Sequence, residues 1–427
     1  MLVDKSYLIK SCDDVELGIK RESKLEFRLC WEDSKEIKSL IFIIPGLGAD
    51  ADENYREHLA GFVASEFEAA VVSVNYHCIG NRSLTGVDFY LDEIDKMIID
   101  EFCKSIHFKT PPLDSINSKE ALTALLELIN AQILKLKQQK RLNDSFHPTL
   151  TATLKPARNE YNNFGIMSAL DILNALFYIQ KNPPFNTGGG GGGKNVKNLP
   201  VILIGSSHGG YLAHLVSKIA PWAINGVIDN SGYAKFPWHF IGFGKEIDYM
   251  KHISVGTAYK EINLHCFDKT FWTSNRYSPH FFSPARRKIR YILEPKHLEI
   301  QANYPKPIYV SYHSIKDKDI APPDEKQELY ALYETLGFKA KLNLIKKESQ
   351  IDGKFIKSLE HGLDMSIKSL INKELPPMLA QISTYKNPPC SNKSIAYPSD
   401  DLLYHFSQKS DKMHLKISKA KDTCSRL

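Results

Sequence analysis

The sequence lacks the usual marks of an exported or membrane-spanning protein. Its 7 cysteines are odd in number and scattered, with no C-x-x-C pair and no zinc-type spacing. A disulfide framework and a structural zinc site are therefore not predicted, and reduced thiols in a cytoplasm fit best. The N-terminus has no apolar h-region and the apolar runs elsewhere are strand-sized, so we predict neither a signal peptide nor a membrane span.

Strong charge and metal-ligand motifs are also missing. The net charge of +6 over 427 residues is mild, and no dense Lys/Arg run alternates with aromatics, which disfavours nucleic acid as a partner. None of the 15 histidines falls in an H-E-x-x-H pattern, so no metal is predicted. The run Gly188 to Gly193 is followed by Lys194-Asn195 and lacks the hydroxyl of a P-loop, so we interpret it as a flexible surface linker and predict no cofactor.

What the sequence does contain is an alternation of strand and helix patterns. Short apolar runs rich in β-branched residues are separated by helical segments, such as Ile166 to Ile179 and one between Pro322 and Gly337. This alternation is typical of an α/β fold with a mostly parallel sheet and helices on both faces. The apolar runs are Leu40–Ile44, Ala70–Asn75, Val201–Ile204, Gly226–Ile228, Ile308–Tyr312 and Lys341–Ile345.

Two insertions, at about 80–160 and 232–305, interrupt the predicted domain, which spans 1–375. The first holds a predicted helix, Ser118 to Arg141, which either packs on its own domain, caps a site or pairs with another subunit in a homo-oligomer. Its apolar stripe is Leu122, Leu126, Ile129, Ile133 and Leu136. The second lies where a substrate-recognition cap is expected and is dense in aromatics and histidine: Trp238, His239, Phe267, Phe271, Trp272, Tyr277, His280, Phe281 and Phe282.

The remaining segment, 376–427, is a polar and basic C-terminal extension. Asp411 is the only acidic residue among its lysines from Lys409 to Lys421, and Asp422 follows directly after them. A solvated tail is the simpler interpretation, and contact with an acidic partner or membrane surface is the alternative.

The strongest chemical motif is Gly-Ser-Ser-His-Gly at 205–209, directly after the Val201 run and before a helical pattern. In a G-x-S-x-G turn, the central residue is strained and small neighbours prevent a backbone collision. The centre is Ser207, not Ser206. Its hydroxyl would lie at a helix N-terminus, where developing negative charge is stabilised, so Ser207 is the predicted nucleophile.

A nucleophilic serine needs a histidine base and a carboxylate that orients it. The segment His-Ser-Ile-Lys-Asp-Lys-Asp-Ile-Ala-Pro, residues 313–322, follows a predicted strand and resembles the H-G-x-x-D-x-x-V-P turn of esterases and prolyl-oligopeptidase-like enzymes. Asp317 matches the acid, Ser314 replaces the usual glycine, and Asp319 is the alternative acid. Further on, Ser-Leu-Glu-His-Gly at 358–362 places His361 where such folds carry the base.

An oxyanion hole requires two donors aimed at the attacked carbonyl oxygen. The backbone N–H of His208, next to the nucleophile, is one candidate. The other is the N–H of Leu47, in a Pro-Gly-Leu-Gly turn that resembles the H-G-x-G loop with Pro45 in place of histidine.

Together these segments resemble the α/β-hydrolase superfamily, and its serine esterase and prolyl-oligopeptidase-like branches most closely, from about 38 to 370 outside the insertions. Ile-Pro-Gly-Leu-Gly, Gly-Ser-Ser-His-Gly-Gly and Leu-Glu-His-Gly also resemble an uncharacterised bacterial family known only as a domain of unknown function.

The superfamily resemblance implies a metal-independent serine hydrolase that cleaves a carboxylic ester through an acyl-enzyme. An O-acyl group on a carbohydrate would suit the aromatic-rich insertion, so the expected partner is a small-molecule or glycan ester. Esters are favoured over peptides because no size-selecting propeller precedes the core. The alternatives are a peptidase or amidase of the same fold, and a binding protein that kept the fold without turnover.

Overall fold

The chain divides into two compact units. A main unit comprises Met1–His77, Phe164–Phe236 and Pro284–Leu427, and an inserted unit comprises Cys78–Asn163 and Pro237–Ser283. The structure, a computed structural model, describes residues 1–46, 54–78, 88–187, 196–238, 255–384 and 390–420. Leu47, His239, the Gly188–Gly193 run and the last residues of the basic extension lie outside the described residues.

The described strands are β1 Leu2–Ile9, β2 Leu25–Glu32, β3 Ser39–Ile44, β4 Ala69–Asn75, β5 Asp88–Tyr90, β6 Thr149–Lys155, β7 Val201–Ser206, β8 Gly226–Asn230, β9 Val255–Tyr259, β10 Ile262–Asp268, β11 Ile308–Ser314, β12 Ala340–Ile345, β13 Ser394–Ser399, β14 Leu402–Lys409 and β15 Lys412–Lys419. The described α-helices are α1 Asn54–Phe67, α2 Glu93–Ser105, α3 Lys119–Gln138, α4 Ile166–Lys181, α5 His208–Ile219, α6 Pro284–Lys288, α7 Pro295–Gln301, α8 Pro323–Thr335 and α9 Ile367–Thr384.

The main unit is built on a mostly parallel sheet. Within the described residues its eight strands run in the order β1-β2-β4-β3-β7-β8-β11-β12. Pairing is antiparallel from β1 to β2 and from β2 to β4, and parallel at every later step. The predicted α/β-hydrolase fold is confirmed, and all six predicted strands are present.

Both faces of this sheet are covered, which explains why its strands are continuous apolar runs. On one face, Ile41 and Ile204 pack with Leu59 of α1 and Leu370 of α9 in a single buried cluster. On the other, α5 contacts β3, β7 and β8, and α4 lies against α5. The predicted helix at Ile166 is observed as α4, fully buried along most of its length.

The inserted unit has its own sheet and core. In its described part, four strands run in the order β5-β6-β10-β9. The apolar stripe of α3 is buried against this sheet, so the interpretation in which the stripe packs on its own domain holds, and its side chains are not available to a second subunit. Trp272 and Phe282 are also buried, whereas Tyr277 is 91% exposed. Aromatic content in this segment therefore serves packing as well as the surface.

The segment after residue 390 forms an antiparallel sheet of the main unit rather than a solvated tail. The order among the described strands is β13-β14-β15. The hydroxyl of Tyr397 donates to the Lys218 carbonyl of α5, and the hydroxyl of Ser399 donates to the Ala285 carbonyl. Lys416 and Lys419 remain exposed on β15. Alternate residues of β13 and β14 are buried, so this segment is a packed sheet and not a solvated tail.

A buried ion pair links this small sheet to the N-terminal segment. The Arg290 guanidinium binds both carboxylate oxygens of Glu16, and the hydroxyl of Tyr404 on β14 donates to Glu16 Oε1 at 2.8 Å. The side chains of Arg290 and Glu16 are both inaccessible to solvent. None of the described helices combines the length and the apolar character that crossing a bilayer requires.

Removing the charge of Glu16 should strongly destabilise the main unit. Glu16→Gln leaves the Arg290 charge buried without its counterion, and breaking a buried pair in this way costs about 3–5 kcal/mol. Urea unfolding measures the change. The control is Glu348→Gln, because Glu348 pairs with Lys316 while both side chains are more than half exposed. Equal effects of the two substitutions would contradict the prediction.

Candidate active site

Ser207 lies in a strained turn between β7 and α5. Its φ of 55° and ψ of −121° are rarely adopted by a residue with a side chain. A Cβ added to Gly205 would lie 2.3 Å from the Gly209 carbonyl carbon, and one added to Gly209 would lie 2.2 Å from the Ile44 oxygen. Both glycines are therefore required by close backbone approach. The surrounding backbone contacts maintain the strained turn and keep the Ser207 hydroxyl clear of the sheet.

The structure brings Ser207, His361 and Asp317 together, although they come from three separate loops. Nε2 of His361 is 2.7 Å from Ser207 Oγ, and Nδ1 of His361 is 2.7 Å from Asp317 Oδ2. The His361 side chain is 21% exposed and that of Asp317 is 2% exposed. With the Nδ1–H donating to the carboxylate, Nε2 can accept the serine proton. The arrangement can thus activate Ser207 as a nucleophile.

The turn around Asp317 shows which of the two predicted acids meets the histidine. The backbone N–H of Ala321 donates to Asp317 Oδ1 at 3.2 Å, and Nε2 of His313 donates to the Ala321 carbonyl at 2.8 Å. These bonds close the turn and direct the second carboxylate oxygen of Asp317 at His361. Asp319 is solvent-exposed two residues further on.

Of the two predicted oxyanion donors, one can be described. His208 is the first residue of α5, so its N–H is not part of the i to i−4 hydrogen-bond ladder of that helix. Leu47 lies outside the described residues. Its neighbour Gly46 lies close to the nucleophile, because a Cβ added there would be 3.0 Å from the Ser206 oxygen and 3.9 Å from the Ser207 Cβ.

Sequence reasoning missed the aromatic cluster around the His208 side chain. Nδ1 of His208 forms a hydrogen bond with the hydroxyl of Tyr233, and the rings of Tyr211, Phe236 and Tyr76 lie next to the imidazole. Tyr233 follows β8 by three residues and has no motif that marks it. Only the fold brings these rings together, behind the residue that follows the nucleophile.

A buried charge network lies beneath the site. Nζ of Lys326 is 3.1 Å from both carboxylate oxygens of Asp229, and Nε2 of His214 donates to Asp229 Oδ2 at 2.8 Å. Burial opposes ionisation of Asp229, but the Lys326 charge and the His214 hydrogen bond outweigh it and lower the pKa of Asp229 below its ordinary value. The network ties β8 to α5 and to α8, which follows the Asp317 turn.

The side chains that could bind a metal ion do not cluster in the part of the chain that the structure describes. Within those residues, no cluster of three or more histidine, cysteine, aspartate or glutamate side chains could hold a metal ion.

Sequence comparison assigns most of the chain to one family. The family model described as "Protein of unknown function (DUF2920)" matches residues 5–417. A search of the curated proteins finds no match.

Solved structures with a similar fold include peptidases and esterases. An acylaminoacyl peptidase from Pyrococcus horikoshii is 12% identical, with 91% of this chain and 43% of that chain covered and a TM-score of 0.45. An esterase from Pyrobaculum calidifontis is 12% identical, with 90% and 85% covered and a TM-score of 0.40. An esterase from Pyrococcus furiosus is 10% identical, with 90% and 92% covered and a TM-score of 0.40. The chain thus spans less than half the length of the peptidase.

The histidine in the Asp317 turn should make stability depend on pH. Burial, followed by the nearby Lys326 charge, lowers the pKa of His313 from 6.5 to about 4. The unfolded chain therefore binds more protons than the folded chain between these values, and the free energy of unfolding should fall as the pH is lowered from about 6.5 to about 4.

Replacing His313 by the neutral glutamine tests this sign. In His313→Gln, urea unfolding at a series of pH values should show a smaller loss of stability over that interval than the wild type. His58→Gln, which replaces an exposed histidine of α1, is measured beside it as the control for loss of a histidine. An unchanged slope in His313→Gln would sink the prediction.

Proposed function

The chain belongs to the DUF2920 family of proteins of unknown function, and we propose that it is a serine hydrolase that cleaves carboxylic esters through an acyl-enzyme. The observation that carries the proposal is the continuous hydrogen-bonded line from Ser207 Oγ through His361 to Asp317, with both distances at 2.7 Å. Such a line is what a neutral hydroxyl needs to become a nucleophile near neutral pH.

Each proposed step uses one of these groups. Ser207 Oγ attacks the carbonyl carbon of the ester while Nε2 of His361 takes its proton, and the Asp317 carboxylate stabilises the imidazolium that forms. The tetrahedral intermediate then expels the alcohol, which receives the proton from His361, and the acyl group remains on Ser207. Water attacks this acyl-enzyme with His361 again acting as base, which releases the acid and restores the serine.

The charge on the carbonyl oxygen requires donors close to Ser207. We assign one to the backbone N–H of His208 at the first turn of α5, where the helix dipole adds to the hydrogen bond. The second assignment is the N–H of Leu47, which is supported by the close approach of its neighbour Gly46 to Ser207. Both donors are main-chain groups, so side-chain substitution at these positions would not remove them.

For the substrate, we propose a small-molecule or glycan ester rather than a peptide, with no nucleic acid and no metal involved. The support for a glycan ester is the aromatic-rich composition of the second insertion, in which the rings of Tyr277 and Phe271 are exposed. A peptidase or amidase would use the same three side chains, so the leaving group has to be determined by comparing substrates.

Labelling with a fluorophosphonate tests the nucleophile. We expect the probe to modify Ser207 covalently, with Ser207→Ala losing both the label and ester hydrolysis while Ser206→Ala keeps them. Parallel assays with acylated sugars, short-chain esters and peptide amides should give faster turnover of esters. An unlabelled wild-type protein with no turnover of any of them would favour the non-catalytic alternative.

The two neighbouring aspartates supply a matched pair for the acid. Asp317→Asn should lower kcat by about 10⁴-fold, because an amide at this position favours the wrong histidine tautomer. Asp319→Asn should leave kcat within about twofold of the wild type, as for a surface substitution that removes no transition-state contact. Steady-state kinetics on the same ester compares the two. The assignment is wrong if Asp319→Asn shows the larger loss.

A further inference from the structure

The loop that carries His361 has an unfavourable backbone. Gly362, Leu363 and Asp364, which follow the histidine, all have positive φ, at 82°, 57° and 47°. Two of the three residues have a Cβ, and each such conformation costs about 1–3 kcal/mol unless the surroundings enforce it. The direction of the His361 side chain therefore depends on what holds this loop.

Three buried side chains hold the loop through its main chain. Nδ2 of Asn230 donates to the Gly362 carbonyl at 2.6 Å, and the Gly362 N–H donates to Ser231 Oγ at 3.0 Å. From the other side, the Ser314 hydroxyl donates to the Leu359 carbonyl. All three are at most 1% exposed. Both polar groups of the residue next to His361 are thus bound by side chains.

The same residues also border the other two parts of the site. The Asn230 carbonyl accepts the N–H of Ser207 at 2.8 Å, and the Ser231 N–H donates to the Tyr312 carbonyl of β11 at 2.9 Å. Ser314 is the last residue of β11 and leads into the Asp317 turn. A displacement of the His361 loop relative to Ser207 would therefore break the hydrogen bonds that Asn230, Ser231 and Ser314 make to this loop.

Burial of Leu363 and these polar bonds have different consequences for the loop. Leu363 is fully buried in the main core with Ile356 and Leu359, so the loop has an apolar anchor that does not depend on the three polar side chains. Apolar packing is non-directional, whereas hydrogen bonds fix orientation. Removing the polar bonds should therefore disturb the alignment of His361 more than it disturbs folding.

We propose that Asn230, Ser231 and Ser314 are positioning residues that align His361 between Ser207 and Asp317. The role deepens the proposed hydrolase function and rests on it. None of the three polar groups contacts the reacting atoms in the described geometry; they act through the main chain of Leu359 and Gly362. Ser314, which stands where the turns that this segment resembles have glycine, makes one of the three hydrogen bonds.

The test compares variants of the full-length chain on an ester substrate. Ser231→Gly is the central variant, because Ser231 has a φ of 56° that glycine adopts without strain, so the hydroxyl is lost while folding is preserved. Asn230→Ala and Ser314→Ala remove the other two hydrogen bonds to the loop. The control is Ser399→Ala, which removes another buried hydroxyl that donates to a main-chain carbonyl, that of Ala285.

We expect kcat and the rate of fluorophosphonate modification to fall about 10- to 100-fold in Ser231→Gly and Asn230→Ala, as for misplacement of a catalytic group by about 1 Å. KM should stay within about twofold, because substrate contacts are unchanged. Ser399→Ala should lower the melting temperature and leave kcat at the wild-type value. Wild-type kcat in Ser231→Gly and Asn230→Ala, or losses that only follow melting temperature as in the control, would overturn the proposal.

A readout that needs no turnover separates this proposal from the proposed function. The proton shared by His361 Nδ1 and Asp317 should give a low-field NMR resonance in the wild type, absent from Asp317→Asn. It should weaken or shift in Ser231→Gly and Asn230→Ala but not in Ser399→Ala. If the wild type neither reacts with the probe nor hydrolyses esters, the hydrolase function fails, and a resonance unchanged by the substitutions then rejects the positioning role as well.

Discussion

Parallel pairing of three central strands is the constraint on which the site depends. The register places Ser206 of β7, Asn230 of β8 and Tyr312 of β11 in one row across the sheet. Because parallel strands end at the same edge of a sheet, the residues that follow this row lie close together at that edge. Ser207 follows the first strand and the Asp317 turn follows the third, while the middle strand supplies the bonds to both neighbours and to the His361 loop.

The buried charge network beneath that row also follows from the geometry of β8. Asp229 precedes Asn230, so its side chain points to the opposite face of the sheet, where it meets Lys326 and His214. A buried ion pair of this kind is not strong evidence for stability, but its directional bonds keep two helices in one arrangement relative to β8. The helix that begins directly after Ser207 and the helix that follows the Asp317 turn are held by the same carboxylate.

Parallel strands with continuous apolar residues were predictable, whereas the antiparallel strands that expose one face were not. The runs around Leu203, Val227 and Val310 were recognised as strands because apolar residues are continuous there. The antiparallel strands β1, β2 and β13 to β15 were not, since polar residues alternate with apolar ones along them. Lys412–Lys419 has the composition of a tail, yet it becomes a strand because β14 offers a partner edge.

Local sequence by itself determined the strained turn at Ser207, because a glycine-flanked serine between an apolar run and a helical pattern specifies it through short-range backbone contacts. It also marked His361 and narrowed the acid to Asp317 or Asp319. Only the tertiary structure shows which of the two carboxylates faces the His361 imidazole, because Asp317 lies 44 positions away from it along the chain. It alone revealed the hydrogen bonds of Asn230, Ser231 and Ser314 to the His361 loop, because bonds to main-chain groups of a distant loop have no signature in residue type or spacing.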